Sequence, residues 1–153
     1  MSGAEERLTQ LGLELPEAPA PAAAYVPVAR AGEVVYVSGQ VAVAQGRPVA
    51  TGKLGGEVDT RVGTRCARQC AVNVLAQLRA ELGSLDRVRQ VVRLGVFVAS
   101  DPAFTQQHVV ANGASELVTE VFGQAGLHAR AAVGVPSLPM DSPVEVEAVV
   151  LVD

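Results

Sequence analysis

The chain has 153 residues, 49% of them apolar, and its 16 acidic against 12 basic side chains give a net charge of −4. This length fits one domain, and the high apolar content with so small a charge excludes a disordered chain. We expect no nucleic acid partner, because the charge is acidic and only 3% of the residues are aromatic. We expect no membrane partner, because no apolar run approaches the roughly 20 residues of a membrane span.

The first 24 residues are predicted to form an N-terminal extension. Leu8, Leu11 and Leu15 have helical spacing, and the prolines at positions 16, 19 and 21 end any helix and make residues 15–24 a stiff connector. The charged residues among the first nine do not fit a secretory signal, so we expect a cytoplasmic protein. Residues 25–153 are predicted to form the main domain.

The main domain is predicted to begin with strands. Valine-rich segments at 25–29 and 34–43 flank the turn Ala31-Gly32-Glu33, which is typical of two strands joined by a turn. A third short extended segment is predicted around Arg47–Ala50.

Two helices and three strands are predicted to follow. Between positions 59 and 82 apolar residues recur every four residues, which predicts a long amphipathic helix that ends at Gly83. The pair Asp101-Pro102 is typical of a helix start and predicts a second helix up to Phe122. Valine-rich strands are predicted at 88–99, 129–135 and 144–152.

This order of elements predicts an α+β fold, a two-layer sandwich in which two helices cover one face of a mixed sheet of about six strands. In the last strand Glu145 and Glu147 lie on one face, but Val149 and Leu151 continue that face. Both faces of the sheet therefore carry apolar area. We expect the second face to meet another copy of the chain.

Few residues are suited to metal binding or nucleophilic catalysis. Cys66 and Cys70 share one helix face, but both lie on the apolar stripe and no second Cys/His pair has suitable spacing. We therefore expect them in the core and expect no metal site. His108 is predicted to lie on the solvent side of the second helix. The sequence has no phosphate-binding loop and no nucleophile elbow.

Arg130 is the most informative single residue. It shares a strand face with Ala132 and Gly134, whose small size leaves room beside the guanidinium. Such an arginine can bind a carboxylate through two hydrogen bonds, which indicates a small carboxylate as the ligand. The alternative is an ordinary strand arginine paired with Glu145 or Glu147.

Four segments occur in a recognisable order. They are Tyr25-Val-Pro-Val, Val37-Ser-Gly-Gln, Ala129-Arg-Ala and Leu138-Pro-Met-Asp-Ser-Pro-Val-Glu-Val-Glu-Ala. Together they resemble the RidA/YjgF family, the reactive-intermediate (enamine/imine) deaminases, which also carry the name endoribonuclease L-PSP. The resemblance extends from about residue 25 to the C-terminus.

The resemblance implies a chorismate-mutase-like fold, a homotrimer with three clefts at its subunit interfaces, and no metal or organic cofactor. It implies that Arg130 holds the substrate carboxylate and that Glu145 positions the water that hydrolyses the imine. It also implies that Tyr25 and the backbone of Ser38 and Gly39 line the pocket.

The chain departs from the family pattern near the arginine. Ala132 replaces the usual cysteine, Leu127-His128 replaces an aromatic-proline pair, and a helix motif of asparagine and tyrosine is represented by Asn112 and Ser115. We place Asn112 in the substrate pocket. His128 is either a pocket group that donates a hydrogen bond or a proton, or a rim histidine without a role. These departures indicate a divergent branch of the family.

Three functions are compatible with these residues. The first is hydrolytic deamination of small enamine or imine intermediates, of the 2-aminoacrylate and 2-iminopropionate type, to 2-oxo acids and ammonia. The second is a non-catalytic trimer that binds a small carboxylate metabolite such as a 2-oxo acid. The third, an endoribonuclease, is disfavoured by the acidic charge, the few aromatics and the lack of paired histidines.

Overall fold

The computed structural model describes residues 2–153, so that Met1 of the predicted extension lies outside the described residues. The helices are α1 (Ala4–Gln10), α2 (Thr60–Leu82) and α3 (Gln107–Phe122). The strands are β1 (Val28–Ala31), β2 (Val34–Val41), β3 (Val43–Ala44), β4 (Arg47–Pro48), β5 (Val88–Ala99), β6 (Ala129–Val135) and β7 (Val144–Val152). None of these helices combines the length and the hydropathy needed to cross a membrane.

One mixed sheet contains five strands in the order β1-β2-β7-β5-β6, and only β5 and β6 run parallel. The two-layer α+β class is confirmed, but the main sheet has five strands rather than about six. The segment predicted around Arg47–Ala50 contributes only β4, which pairs with β3 in a separate hairpin. Gln45 and Gly46 both have positive φ in the turn between them, which folds the chain directly back on itself.

The two long helices cover one face of the sheet and enclose the core. At the start of α2 the Asp59 carboxylate accepts a hydrogen bond from the Val62 N–H at 2.8 Å, and at its end Gly83 adopts a φ of +82°. The predicted apolar stripe is buried, with Cys66 and Cys70 in the core. The prediction of a long amphipathic helix is confirmed.

The second long helix begins later than the sequence predicts. The Asp101 carboxylate accepts from the Ala103 N–H at 3.0 Å, and the Asp101 carbonyl accepts from the Phe104 N–H at 2.9 Å. These bonds close a single turn after Asp101-Pro102, and α3 starts only at Gln107. The prediction that α3 starts at Asp101-Pro102 is therefore wrong, because this cap belongs to a turn.

The N-terminal extension packs onto the domain. Leu8 of α1 is fully buried, and the Glu5 carboxylate accepts hydrogen bonds from Arg79 of α2 and from the Leu85 N–H. Farther along, the buried Gln77 amide donates to the Pro19 carbonyl at 2.6 Å. The proline-rich connector is therefore held against α2.

The second face of the sheet has no covering layer within the described chain. Tyr36 of β2 is 52% exposed and Val133 of β6 is 45% exposed, and Val149 of β7 lies between them on the same face. We refer to this surface as the open face. Its apolar side chains agree with the expectation that both faces of the sheet carry apolar area.

Candidate functional site

Arg130 lies on edge strand β6 and points to the helix side of the sheet. Its register partner on β5 is Leu94, which is buried against the helices. The Arg130 Nη1 donates to Asn112 Oδ1 at 3.0 Å and to Ser115 Oγ at 3.1 Å, and its Nη2 donates to the His108 carbonyl at 3.1 Å. Helix α3 thus holds the guanidinium by three neutral acceptors.

Within residues 2–153, Arg130 makes no ion pair. Glu147 binds Arg93 at 3.0 Å instead, and Glu145 has no cationic partner among the described residues. The Nε–H and the second Nη2–H of Arg130 have no acceptor in this part of the chain. The structure therefore does not show the strand arginine paired with Glu145 or Glu147, and the half-buried guanidinium keeps donors for a carboxylate.

His128 lies close to Arg130, and Ser115 forms a hydrogen bond with each of them. The Nδ1 of His128 is 2.6 Å from the Gly126 carbonyl, which can only accept a hydrogen bond, so Nδ1 carries a proton. In the neutral ring Nε2 then accepts from the Ser115 hydroxyl at 2.9 Å, while Ser115 Oγ accepts from Arg130. We call Arg130, Asn112, Ser115 and His128 the Arg130 cluster.

Asn112 was predicted to lie in the substrate pocket, and His128 to be either a pocket group or a rim histidine. Ser115 was named only as the residue at the position of the motif's tyrosine, without a role in the site. The spacing of His108, Asn112 and Ser115 by four and three residues puts all three on one face of α3. This spacing, together with the single arginine of β6, is the sequence signal that would have indicated Ser115 as a partner of Arg130. His108 itself is exposed as predicted, and it contributes its carbonyl rather than its ring.

Glu145 of β7 lies on the opposite, open face, next to a β-bulge. The register of β2 and β7 shifts between Val37 and Gln40, so that Ser38 and Gly39 together face one residue of β7. A Cβ on Gly39 would lie 2.7 Å from a carboxylate oxygen of Glu145. Glycine at position 39 therefore makes the space that the Glu145 carboxylate occupies.

Tyr25, Gly39 and Glu145 line one cavity of about 340 Å³, together with residues 19–23 of the connector. Among residues 2–153, Glu145 is the only charged side chain in its wall. Ser38 is not among the described residues that line the cavity, and its backbone is already paired, since its N–H donates to the Pro27 carbonyl at 2.9 Å and its carbonyl accepts from the Gln40 amide at 3.1 Å. We call this cavity the Glu145 pocket.

The Glu145 carboxyl has an altered acidity. Its burial raises the pKa above the ordinary value of a glutamate, and the nearby charge of Glu147 raises it further. No positive group in the described chain opposes these two effects. A carboxylate with a raised pKa is a better base for a bound water molecule.

A single chain does not bring the Arg130 cluster and the Glu145 pocket together. Leu94 of β5 is the register partner of both Arg130 and Ala148, and Glu145 lies three residues before Ala148. Two strand spacings therefore separate the Cα atoms of Arg130 and Glu145 by roughly 10 Å across the sheet, and three residues separate them by roughly 10 Å along the strands. Their side chains also lie on opposite faces of the sheet.

The cysteines do not form a metal site. Burial raises the pKa of the Cys66 thiol to about 11, and it raises that of Cys70 well above its usual range. Within residues 2–153 no three His, Cys, Asp or Glu side chains are grouped to hold a metal ion. Both thiols belong to the core.

The chain is similar to known proteins along almost its whole length. A family model described as "YjgF/chorismate mutase-like, putative endoribonuclease" matches residues 5–150. The protein TCP17 of Trypanosoma cruzi is 49% identical over 144 residues, which cover 94% of this chain and 90% of TCP17.

Two solved structures show how the fold compares. The structure of Atu1372 from Agrobacterium tumefaciens has a TM-score of 0.91 and 48% identity, with 98% of this chain and 92% of that chain covered. The structure of E. coli TdcF with bound serine has a TM-score of 0.65 and 26% identity, with 90% and 94% covered. The chain thus lies closer to Atu1372 than to TdcF, as its departures from the motifs predict.

Proposed function

The chain belongs to the YjgF/RidA family, and from this membership we propose that it hydrolyses small 2-imino acids to 2-oxo acids and ammonia. The observation that carries the proposal is Arg130, a half-buried cation held by neutral acceptors and without a carboxylate partner in the described chain. A 2-imino acid supplies that carboxylate. The serine bound to TdcF has a carboxylate in the same position relative to its nitrogen-bearing carbon.

We further propose that the functional unit is a homotrimer, in which each cleft combines the Arg130 cluster of one subunit with the Glu145 pocket of its neighbour. Two observations support this assembly. The open face carries exposed apolar side chains, including Tyr36 and Val133, that a second copy would cover. The two halves of the site lie on opposite faces of one sheet and need a second chain to meet.

The reaction in such a cleft needs only orientation and proton transfer. The substrate carboxylate binds the Nε and Nη2 of Arg130, which fixes the C=N carbon over Glu145 of the neighbouring subunit. The Glu145 carboxylate takes a proton from water as the water oxygen bonds to the C=N carbon of the protonated imine, and the C=N π electrons move to nitrogen, which gives a neutral carbinolamine. The glutamic acid then returns its proton to the amine nitrogen. As the C–N bond breaks, the carbinolamine hydroxyl gives its proton to the Glu145 carboxylate and becomes the C=O of the 2-oxo acid, and the ammonia takes up this proton and leaves as ammonium.

Substitution of Arg130 tests this proposal. We expect Arg130→Ala to lower kcat/KM for 2-iminopropionate by about a hundredfold, because two charge-assisted hydrogen bonds are lost. The matched control is Arg65→Ala, since Arg65 is an exposed arginine of α2 that neither contacts Arg130 nor lines the Glu145 pocket. Size-exclusion chromatography of both variants should show the same assembly as the wild type.

Unimpaired hydrolysis by Arg130→Ala would refute the proposal. A different result would favour a binding protein instead: thermal stabilisation by 2-oxo acids that is lost in Arg130→Ala, without turnover of any imine by the wild type.

A further inference from the structure

The connector forms a wall of the Glu145 pocket that the proposed reaction does not use. Residues 19–23 line the pocket consecutively, and Val41, Val43 and Met140 add apolar side chains to its wall. These residues come from the extension, from the end of β2 and beyond it, and from the turn before β7. The side of the pocket formed by these residues therefore consists of proline, alanine, valine and methionine side chains.

The connector is anchored to the domain by hydrogen bonds and packing. The Gln77 amide, only 3% exposed, donates to the Pro19 carbonyl at 2.6 Å. Upstream, α1 is docked through the buried Leu8 and the ion pair of Glu5 with Arg79. Prolines at positions 16, 19 and 21 further restrict the backbone between these anchors.

The polar side chains in the wall, apart from Glu145 and Tyr25, are already bonded within the protein. Asn73 donates to the Val41 and Val43 carbonyls, both at 3.0 Å, and its oxygen accepts from Gln69. The Gln40 amide donates to the Ser38 carbonyl and accepts from Gln77. Apart from Glu145 and Tyr25, the side chains that a ligand meets in this wall are therefore apolar or already hydrogen-bonded within the protein.

The volume of the pocket exceeds what the simplest substrate needs. About 340 Å³ corresponds to roughly ten water molecules at the density of the liquid. A methyl side chain would leave most of this space unfilled. An aliphatic side chain of three or four carbons would reach the connector and exclude water from it.

We propose that the connector-lined part of the Glu145 pocket is a subsite for the substrate side chain, and that it selects 2-imino acids with aliphatic side chains such as the one derived from leucine. This inference rests on the proposed deaminase function. It assigns the extension a role in specificity, since a chain without residues 19–23 would leave this side of the pocket open.

The test compares two imines and two variants. Imines are generated in situ from L-leucine and L-alanine by an amino acid oxidase, and the remaining imine is trapped with semicarbazide. We expect the wild-type kcat/KM for the leucine-derived imine to exceed that for the alanine-derived imine at least tenfold. Ala22→Phe fills the subsite and should lower this ratio at least tenfold.

Ala24→Phe is the matched control, because Ala24 is exposed on the same segment but does not line the pocket. It should keep the wild-type ratio. Binding of the two products, 4-methyl-2-oxopentanoate and pyruvate, is measured in parallel by calorimetry. The wild type should bind the larger product at least tenfold more tightly, and Ala22→Phe should lose that difference.

The outcomes separate the two proposals. A wild type that hydrolyses both imines without preference, or a ratio unchanged by Ala22→Phe, overturns the subsite and leaves the deaminase function standing. If neither imine is hydrolysed, the deaminase function fails, and the product affinities still decide the subsite. Equal affinity for both products, or a difference that Ala22→Phe leaves intact, then overturns it.

Discussion

Two arginines on neighbouring strands show how the surroundings of a side chain decide its use. Arg93 of β5 faces the open side and binds Glu147 at 3.0 Å. Arg130 of β6 faces the helices and meets an amide oxygen, a hydroxyl and a carbonyl. Neutral acceptors fix the position of a guanidinium without neutralising its charge. Arg130 thereby stays available for an anionic ligand.

The acidity of Glu145 gives a prediction at the same scale. Removal of the Glu147 charge by Glu147→Gln should lower the pKa of Glu145, and the release of Arg93 acts in the same direction. Because the base must be deprotonated, kcat/KM falls on the acid side as Glu145 takes up its proton. We expect this fall to move to lower pH by roughly half a unit in Glu147→Gln.

Profiles of kcat/KM between pH 4 and pH 8 measure this shift. Glu120→Gln serves as the control, since Glu120 lies on the surface of α3 and pairs with Arg68. A profile of Glu147→Gln that stays in place or moves to higher pH would show that Glu147 does not influence the base.

At the scale of elements, the position of the Arg130 cluster depends on how closely α3 approaches α2. A Cβ on Gly113 would lie 2.1 Å from the Thr64 carbonyl oxygen, a backbone atom of α2. The adjacent residue, Asn112, holds Arg130. Glycine at this crossing therefore sets both the packing of the helices and the position of the cluster.

Alanine at position 113 should force the two helices apart. We expect Gly113→Ala to lower Tm by about 5 °C or more, because overpacking against backbone outweighs the higher helix propensity of alanine. Gly63→Ala is the control, since the three atoms nearest to a Cβ there all belong to the Leu54 side chain rather than to backbone, and its Tm should fall clearly less. Equal melting temperatures of the two variants at one protein concentration would contradict this account of the crossing.

The elements also show which features can be predicted from local sequence. The four-residue spacing of α2 and the glycine at its end predicted its bounds, because both signals are local. Asp101-Pro102 misled, since the same cap chemistry closes an isolated turn as readily as it starts a helix. Ser115 was missed because its role depends on the strand packed against α3.

The separation of Arg130 from Glu145 lies beyond any local pattern. The two residues are fifteen positions apart in the sequence and belong to strands that each neighbour β5. Only the strand order and the register with Leu94 reveal that they lie on opposite faces. Arg130 and Glu145 could thus be singled out from the sequence as candidate site residues, whereas their placement on opposite faces of one sheet could not.

At the scale of the whole molecule, the open face and the divided site lead to the same assembly. A sheet covered by helices on one side leaves Tyr36, Val92 and Val133 exposed on the other side or at its margin. Burial of such side chains in a closed trimer would stabilise each subunit and place a cleft at each interface. The small valine and alanine side chains that dominate the composition suit a sheet packed on both faces.

Complementation between two inactive variants tests this assembly most directly. Arg130→Ala and Glu145→Gln are co-expressed with different tags, and trimers that carry both tags are purified. In a trimer that contains both variants, one of the three clefts joins an intact Arg130 to an intact Glu145 of the neighbouring subunit. The account predicts that these mixed trimers regain about a third of the wild-type deaminase activity. A mixture as inactive as its two parents, in trimers that demonstrably contain both variants, would contradict it.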